Sequence, residues 1–204
     1  MAITLTKIAS EIAKTLSLKH NRNIAYKTIT QDDFRIIAGL CVEPSPIGQF
    51  SVHSFIQALY IPFPALVLEL GDRVGYWDRV DFPAAIHDIK EFYEQLPDYD
   101  SIGTIIDMIN SRQLIYHCTN IINKYEFLAY SYIVINQYDK AKEYLRMMVA
   151  FENYKDRPGW CWIKELVNAA KKLLDLMEQE NWSEIRNLLL SWQRETMTAL
   201  KLPD

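Results

Sequence analysis

The chain lacks any run of the ~18 consecutive apolar residues that a membrane-spanning helix needs. Its six glycines, at Gly39, Gly48, Gly71, Gly75, Gly103 and Gly159, are isolated, so no glycine-rich loop exists to cradle a phosphate. Its three cysteines, Cys41, Cys118 and Cys161, are too few and too far apart for a disulfide framework or a Cys-x-x-Cys metal site. Each is flanked by apolar or aromatic residues, and all three are expected as free, buried thiols in a reducing compartment. Basic blocks are missing too. With 22 Lys and Arg against 26 Asp and Glu, the net charge is −4, and nothing supplies the basic surface that general nucleic-acid binding requires. Near the N-terminus Lys7, Glu11 and Lys14 interrupt every apolar stretch, whereas an export signal needs an unbroken one. The expected compartment is the cytoplasm, with neither a membrane nor a nucleic acid as partner. Neither Gly-x-Ser-x-Gly nor His-Glu-x-x-His occurs, so any catalysis has to draw on distant segments.

Present instead is an ordinary globular composition, half apolar and 24% charged. The 204 residues suit one larger domain or two small, closely packed ones. Leu5, Ile8, Ile12 and Leu16 give Ile3 to Leu18 an amphipathic helical face. Ile24 to Tyr26 suggests a short strand. Phe34, Ile36, Ala38, Leu40 and Val42 then alternate along an extended chain closed by Pro44 and Pro46. Phe50 to Ile61 is apolar on both faces, as a central strand is, and Pro62-Phe63-Pro64 turns the chain. Ala65 to Leu70 is the expected third strand of an antiparallel meander, ending in a charged turn, Gly71-Asp72-Arg73.

From Asp81 onward the period is helical. Helices are expected from Phe82 to Leu96, from Ser101 to Met108, across 125–149 as a hairpin, from Ile163 to Met177, and from Trp182 onward. In the hairpin, Asn136 marks the turn and Asp139 places an anion in the first turn of the second helix. Asn181-Trp182-Ser183-Glu184 has capping-box spacing. Tyr138, Leu145 and Met148 are echoed 44 residues later by Trp182, Leu189 and Trp192, which reads as two stacked hairpins. The expected class is α+β: an N-terminal helix and small antiparallel sheet in residues 1–80, then a C-terminal bundle of stacked helical hairpins in residues 81–204.

Leu128, Ala129, Tyr132, Asn136, Tyr138, Ala141 and Leu145 resemble the large-small-aromatic-turn series of a tetratricopeptide repeat, over these two helices alone. Tyr125 stands where a Trp is common, Asn136 where a turn Gly is, and Asn153 where a terminal Pro is. Such repeats bind other proteins, so the likeness implies a binding role; an ordinary antiparallel helix pair accounts equally for the pattern. The segment from Phe50 to Trp77, with Ile-Pro-Phe-Pro and Leu-Glu-Leu-Gly-Asp-Arg-Val, resembles bacterial α+β proteins whose neighbours include toxin-immunity proteins.

Two sets of residues are candidates for function. Tyr130, Tyr144, Tyr154, Trp160 and Trp162 crowd in and after the hairpin. Helical spacing turns Tyr132 and Tyr138 inward and leaves Tyr130 and Tyr144 off the core face, where aromatic rings anchor protein partners. His53 on the second strong strand is the other candidate, as a base or ligand, with Arg73 as a clamp for a carboxylate or phosphate. His87 is expected to be solvated, and His117 and Cys118 are neighbours whose side chains diverge on a helix. No cofactor is expected. The leading reading is a non-enzymatic protein that binds another protein or a peptide, in its most specific form an immunity-type inhibitor. The alternative is a small-molecule-binding protein or enzyme with a pocket between sheet and helices. The wide apolar face of the last helix around Leu188, Leu189 and Leu190 raises a homodimer as a further possibility.

Overall fold

The computed structural model describes residues 3–45, 48–68, 70–97, 99–111, 118–155 and 160–203, with the backbone alone at 118–120 and 160. Thr4 opens helix α1 (Leu5–Thr15) by accepting a hydrogen bond from the Lys7 N–H. Five strands follow: β1 (Lys19–Asn21), β2 (Ile24–Gln31), β3 (Phe34–Pro44), β4 (Gln49–Ala58) and β5 (Arg73–Asp78). They pair antiparallel in chain order, the meander expected from short connections. Arg22 and Asp32, both with positive φ, make the two tight turns that join β1 to β2 and β2 to β3.

The alternation expected of β3 holds. Phe34, Ile36, Ala38, Leu40 and Val42 are all buried on one face. At one end this face carries α1 and α2 (Phe82–Glu94), through Ile8, Ile12, Ala85 and Ile89. At the other end it carries the later helices, through Ile36, Ala38 and Ile56. The opposite face is apolar in its centre as well, where Ile37, Cys41 and Phe55 lie under Leu66, Leu68, Met197 and Leu202.

The third strand is not where the sequence places it. Residues 65–68 and 70 form no strand, and β5 starts at Arg73, so the residue expected in a turn is the first of a strand. The reason lies at the edge of β4. Its pairing with β5 stops at His53, and the following chain lies against the exposed edge without forming a ladder. The Gln57 side chain accepts the Val67 N–H, and the Ser54 N–H donates to the Asp72 carbonyl. Gly71 comes so close that a Cβ there would lie 1.7 Å from the Ser54 carbonyl oxygen. Prolines at 62 and 64 start this segment off the ladder, and its Leu66 and Leu68 are half-buried against the second face without joining the sheet.

The helical part runs α3 (Ile102–Ser111), α4 (Cys118–Val134), α5 (Tyr138–Val149), a 3-10 turn (Ala150–Tyr154), α6 (Trp160–Glu178) and α7 (Trp182–Leu200). Asn136 takes a φ of 59° between α4 and α5, the left-handed conformation expected of it, and Asp139 stands in the first turn of α5. The 44-residue echo extends to the backbone, because Glu180, between α6 and α7, has a φ of 53°. The two echoed rings meet: Tyr138 stacks on Trp182 with centroids 4.1 Å apart. Asn181 caps α7 by accepting the Glu184 N–H, and Glu184 answers by accepting from the Asn181 side chain instead of its backbone.

Helix α4 is the hub. Every residue from Glu126 to Val134 is buried, so this helix has no solvent face along that length. One apolar cluster joins its Phe127, Leu128 and Ile133 to Ile36 and Ile56 of the sheet and to Leu145, Leu173 and Leu189 of the surrounding helices. The last helix ties back to the sheet through polar bonds. Gln193 accepts the Arg35 N–H and donates to the Asp33 carbonyl, while Thr196 donates to the Ile61 carbonyl.

Close strand approach makes one substitution decisive. A Cβ on Gly39 would lie 2.0 Å from the Ala25 carbonyl oxygen, a backbone atom that cannot step aside. Gly39→Ala is expected to destabilise the protein by about 3 kcal/mol or more, the upper range for overpacking. Urea unfolding reads this as a lower midpoint at unchanged slope.

Candidate functional site

The most distinctive surface grows out of the α4–α5 hairpin. Tyr132 stacks on Tyr144 at 5.7 Å, Tyr144 leans on Tyr125 at 5.9 Å, Tyr125 meets Phe151 edge-on at 6.3 Å, and Phe151 touches Tyr154 at 5.8 Å. Five rings thus run from the interior to the surface. The inner end is fixed by polar contacts. The Tyr144 hydroxyl donates to Asn110 Oδ1 at 2.9 Å, and the Lys140 ammonium lies 5.1 Å from the centre of the Tyr132 ring. Burial holds the Tyr132 and Tyr144 hydroxyls above their ordinary value of 10, so both remain proton donors at neutral pH.

The outer end is apolar and open. Lys140, Tyr144, Met147, Phe151 and Tyr154 recur at helical spacing along α5 and the 3-10 turn. Met147 and Tyr154, at 36% and 41% exposure, are two of only four large apolar side chains exposed among the described residues. Rigid rings backed by a packed row offer contact area whose ordering cost is already met by the fold.

Of the aromatic candidates, Tyr144 and Tyr154 belong to this row and Trp162 does not. Trp162 is half-buried against the main core. The Trp160 side chain lies outside the described residues. Tyr130 requires a correction. It is fully buried, stacked on Trp192 of α7 at 5.6 Å, and touches no solvent. Helical spacing excluded it from one apolar face, but α4 is covered on every side and has no other face to offer. Cys161 also departs from expectation, being exposed, whereas Cys41 is buried with its thiol pushed up to about 12 by burial and by Glu43.

His53 and Arg73 do lie together, paired across β4 and β5 on the second face of the sheet. His53 Nε2 stands 3.4 Å from Glu43 Oε2. Burial holds the imidazole below its ordinary value of 6.5; Glu43 pulls the other way and Arg73 adds to the lowering, so His53 is neutral at pH 7. The Arg73 guanidinium packs over Tyr76, 4.9 Å from the ring centre. The pair sits beside a β-bulge, and neither residue lines the cavity between β4 and α4. His87 is exposed on α2 beside Glu91, as expected, and His117 lies outside the described residues.

A small cavity between β4 and α4 holds a residue the sequence reading missed. Glu126 of α4 borders it together with Gln57 and Asn123, where β4 runs on past the end of β5. About 20 Å³ of room is enough for one water molecule. Glu126 is buried, its Oε1 has no hydrogen-bond partner among the described residues, and burial pushes its carboxyl up to about 8. The Tyr130 hydroxyl, one helical turn on, is close enough to feel the Glu126 charge but forms no bond of ordinary geometry. The signal was present in the sequence: Glu126 precedes nine residues, Phe127 to Ile135, in which only Ser131 is not apolar or aromatic. Such a run marks a helix buried all round, and its acid with it.

No family model matches the chain, and no curated protein or solved structure is significantly similar to it.

The state of Glu126 sets a pH dependence of definite sign. Below its ordinary value of 4.5 the carboxyl is protonated folded or unfolded. Between 4.5 and about 8 the folded chain keeps a proton that the unfolded chain has released, so stability falls as pH rises. His53 contributes the opposite slope, at and below its ordinary value of 6.5. From pH 6.5 to 8.5 the wild type is therefore expected to lose stability on the order of a few kcal/mol. Glu126→Gln should remove most of that slope and be the more stable protein at the alkaline end, as read by urea unfolding at several pH values.

Proposed function

We propose that this protein acts without catalysis, by binding another protein or a peptide across the exposed end of the aromatic row on α5 and the following 3-10 turn. The observation that carries this reading is the row itself, five rings braced from Tyr132 outward and ending at exposed Tyr154 beside exposed Met147. Aromatic residues and Met are enriched at interfaces, where they bury much area without much loss of freedom. The likeness of 125–149 to a tetratricopeptide hairpin, and of 50–77 to bacterial α+β proteins whose neighbours include toxin-immunity proteins, gives the reading its most specific form, an inhibitor that caps a partner protein. Lys140 and Glu143 beside the row would set the orientation of that partner more than its affinity.

The alternative, a small molecule held between sheet and helices by His53 and Arg73, has less support. Neither His53 nor Arg73 lines the cavity between β4 and α4, which has room for about one water, or the wider groove between β1–β3 and the end of α7. A twofold contact through α7 also has less to recommend it. Leu188, Leu190, Trp182 and Trp192 pack against the chain's own core.

A pull-down from native lysate tests the binding reading. Wild-type protein should retain a partner across a range of ionic strengths. Met147→Glu combined with Tyr154→Ala should lose it while keeping the wild-type circular dichroism spectrum. The inhibitor form adds that the captured partner has an activity which wild-type protein suppresses and the double variant does not. Recovery of wild-type protein alone at every ionic strength, or equal capture by the double variant, would contradict the reading.

A further inference from the structure

Away from the aromatic row, the second face of the sheet is covered only in its centre. On the β1 side a groove of about 370 Å³ is left open. The register fixes what lines it. Lys19 lies opposite Tyr26, Thr28 opposite Ile37 and Thr30 opposite Arg35, so these side chains rise from one face of β1, β2 and β3. Met197 of α7 and Leu202 after it form the far wall.

The groove is basic in an acidic protein. No Asp or Glu lines it among the described residues, and neither Lys19 nor Arg35 has an ion-pair partner there. Elsewhere cations do pair: Lys14 with Glu11, Lys171 with Glu152, and Arg186 with Asp33. The Lys19 ammonium donates to Thr28 Oγ1 at 3.5 Å, which draws its charge over the groove floor. Arg35 is rooted from two sides, its N–H donating to Gln193 Oε1 and its carbonyl accepting from the Leu59 N–H. Among the described residues its guanidinium finds only the Met197 sulfur at 4.0 Å, a weak acceptor.

We propose that this groove binds a small organic anion through phosphate or carboxylate oxygens. Arg35 supplies a planar fork of donors, Lys19 a mobile point charge, and the Thr28 and Thr30 hydroxyls further donors, a set suited to oxyanions. The space falls in the range of small-molecule sites, ~300–1,000 Å³, and the groove is separate from the α5 surface and does not rest on its reading.

Inorganic phosphate and citrate serve as probes, each titrated at constant pH and ionic strength into 15N-labelled protein. Saturable amide shifts are expected at Thr28, Thr30 and Arg35 with at least one of the two. Lys19→Gln, a change at an exposed position, should weaken binding about tenfold or more, as loss of a charged hydrogen bond does. Lys19→Gln with Arg35→Gln should abolish saturation while the melting temperature without anion stays near wild type. A third arm uses a glutamate-rich hexapeptide. Saturable binding of the peptide with neither phosphate nor citrate bound would overturn the small-anion assignment. So would the absence of saturable shifts with any probe, or shifts of equal size in the double variant.

Discussion

The burial of α4 on all sides is the constraint on which the rest depends. A helix with no solvent face needs partners around its whole circumference, and here the sheet, α3, α5, α6 and α7 supply them. Small Ala129 and Ala141 sit at the α4–α5 contact, both fully buried, and let the two backbones approach. Each large buried side chain contributes roughly 1.5–3 kcal/mol, so the segment from Phe127 to Val134 concentrates much of the apolar stabilisation of the helical part. The meander is held to the same hub by Tyr60, whose hydroxyl meets Ser131 Oγ at 2.7 Å inside the core.

That hub also decides where the protein has surface left for binding. Side chains from Glu126 to Val134 are buried, so the partner proposed above would meet chiefly α5 and the turn after it. The ring row carries buried aromatic packing outward from Tyr132 to Tyr154. The same burial explains the cost carried at Glu126. A satisfied polar pair such as Tyr60 and Ser131 is cheap to bury, whereas a carboxyl with an unpartnered oxygen stays folded only by holding its proton.

Much of the fold was legible in the sequence because its patterns are local. The alternation at Phe34 to Val42, the turn at Asn136 and the 44-residue echo each follow from short-range backbone rules, and each is present in the structure. The misplaced third strand shows the limit. Residues 65–70 have the composition of a strand, but the edge they cover is reached through a Gln57 side chain and a close Gly71 contact, neither of which periodicity records. The sites were harder to read. Tyr144 and Tyr154 do stand together in the ring row, as aromatics in and after the hairpin. Tyr130 was misassigned because one-face reasoning fails for a helix without an outside. Glu126 was legible from the apolar run that follows it, whereas Lys19 and Arg35 gain their character from elements far apart in sequence, which only the tertiary arrangement brings together.

Native-state hydrogen exchange on the backbone amides of α4 tests the central role of this helix most directly. If α4 is the hub, its amides from Phe127 to Val134 should exchange only through global unfolding, with protection free energies equal to the stability from urea denaturation. The ends of α2 and the 3-10 turn at Ala150–Tyr154 should open at lower free energy. Exchange of the α4 amides through a local opening, well below the global value, would contradict the account.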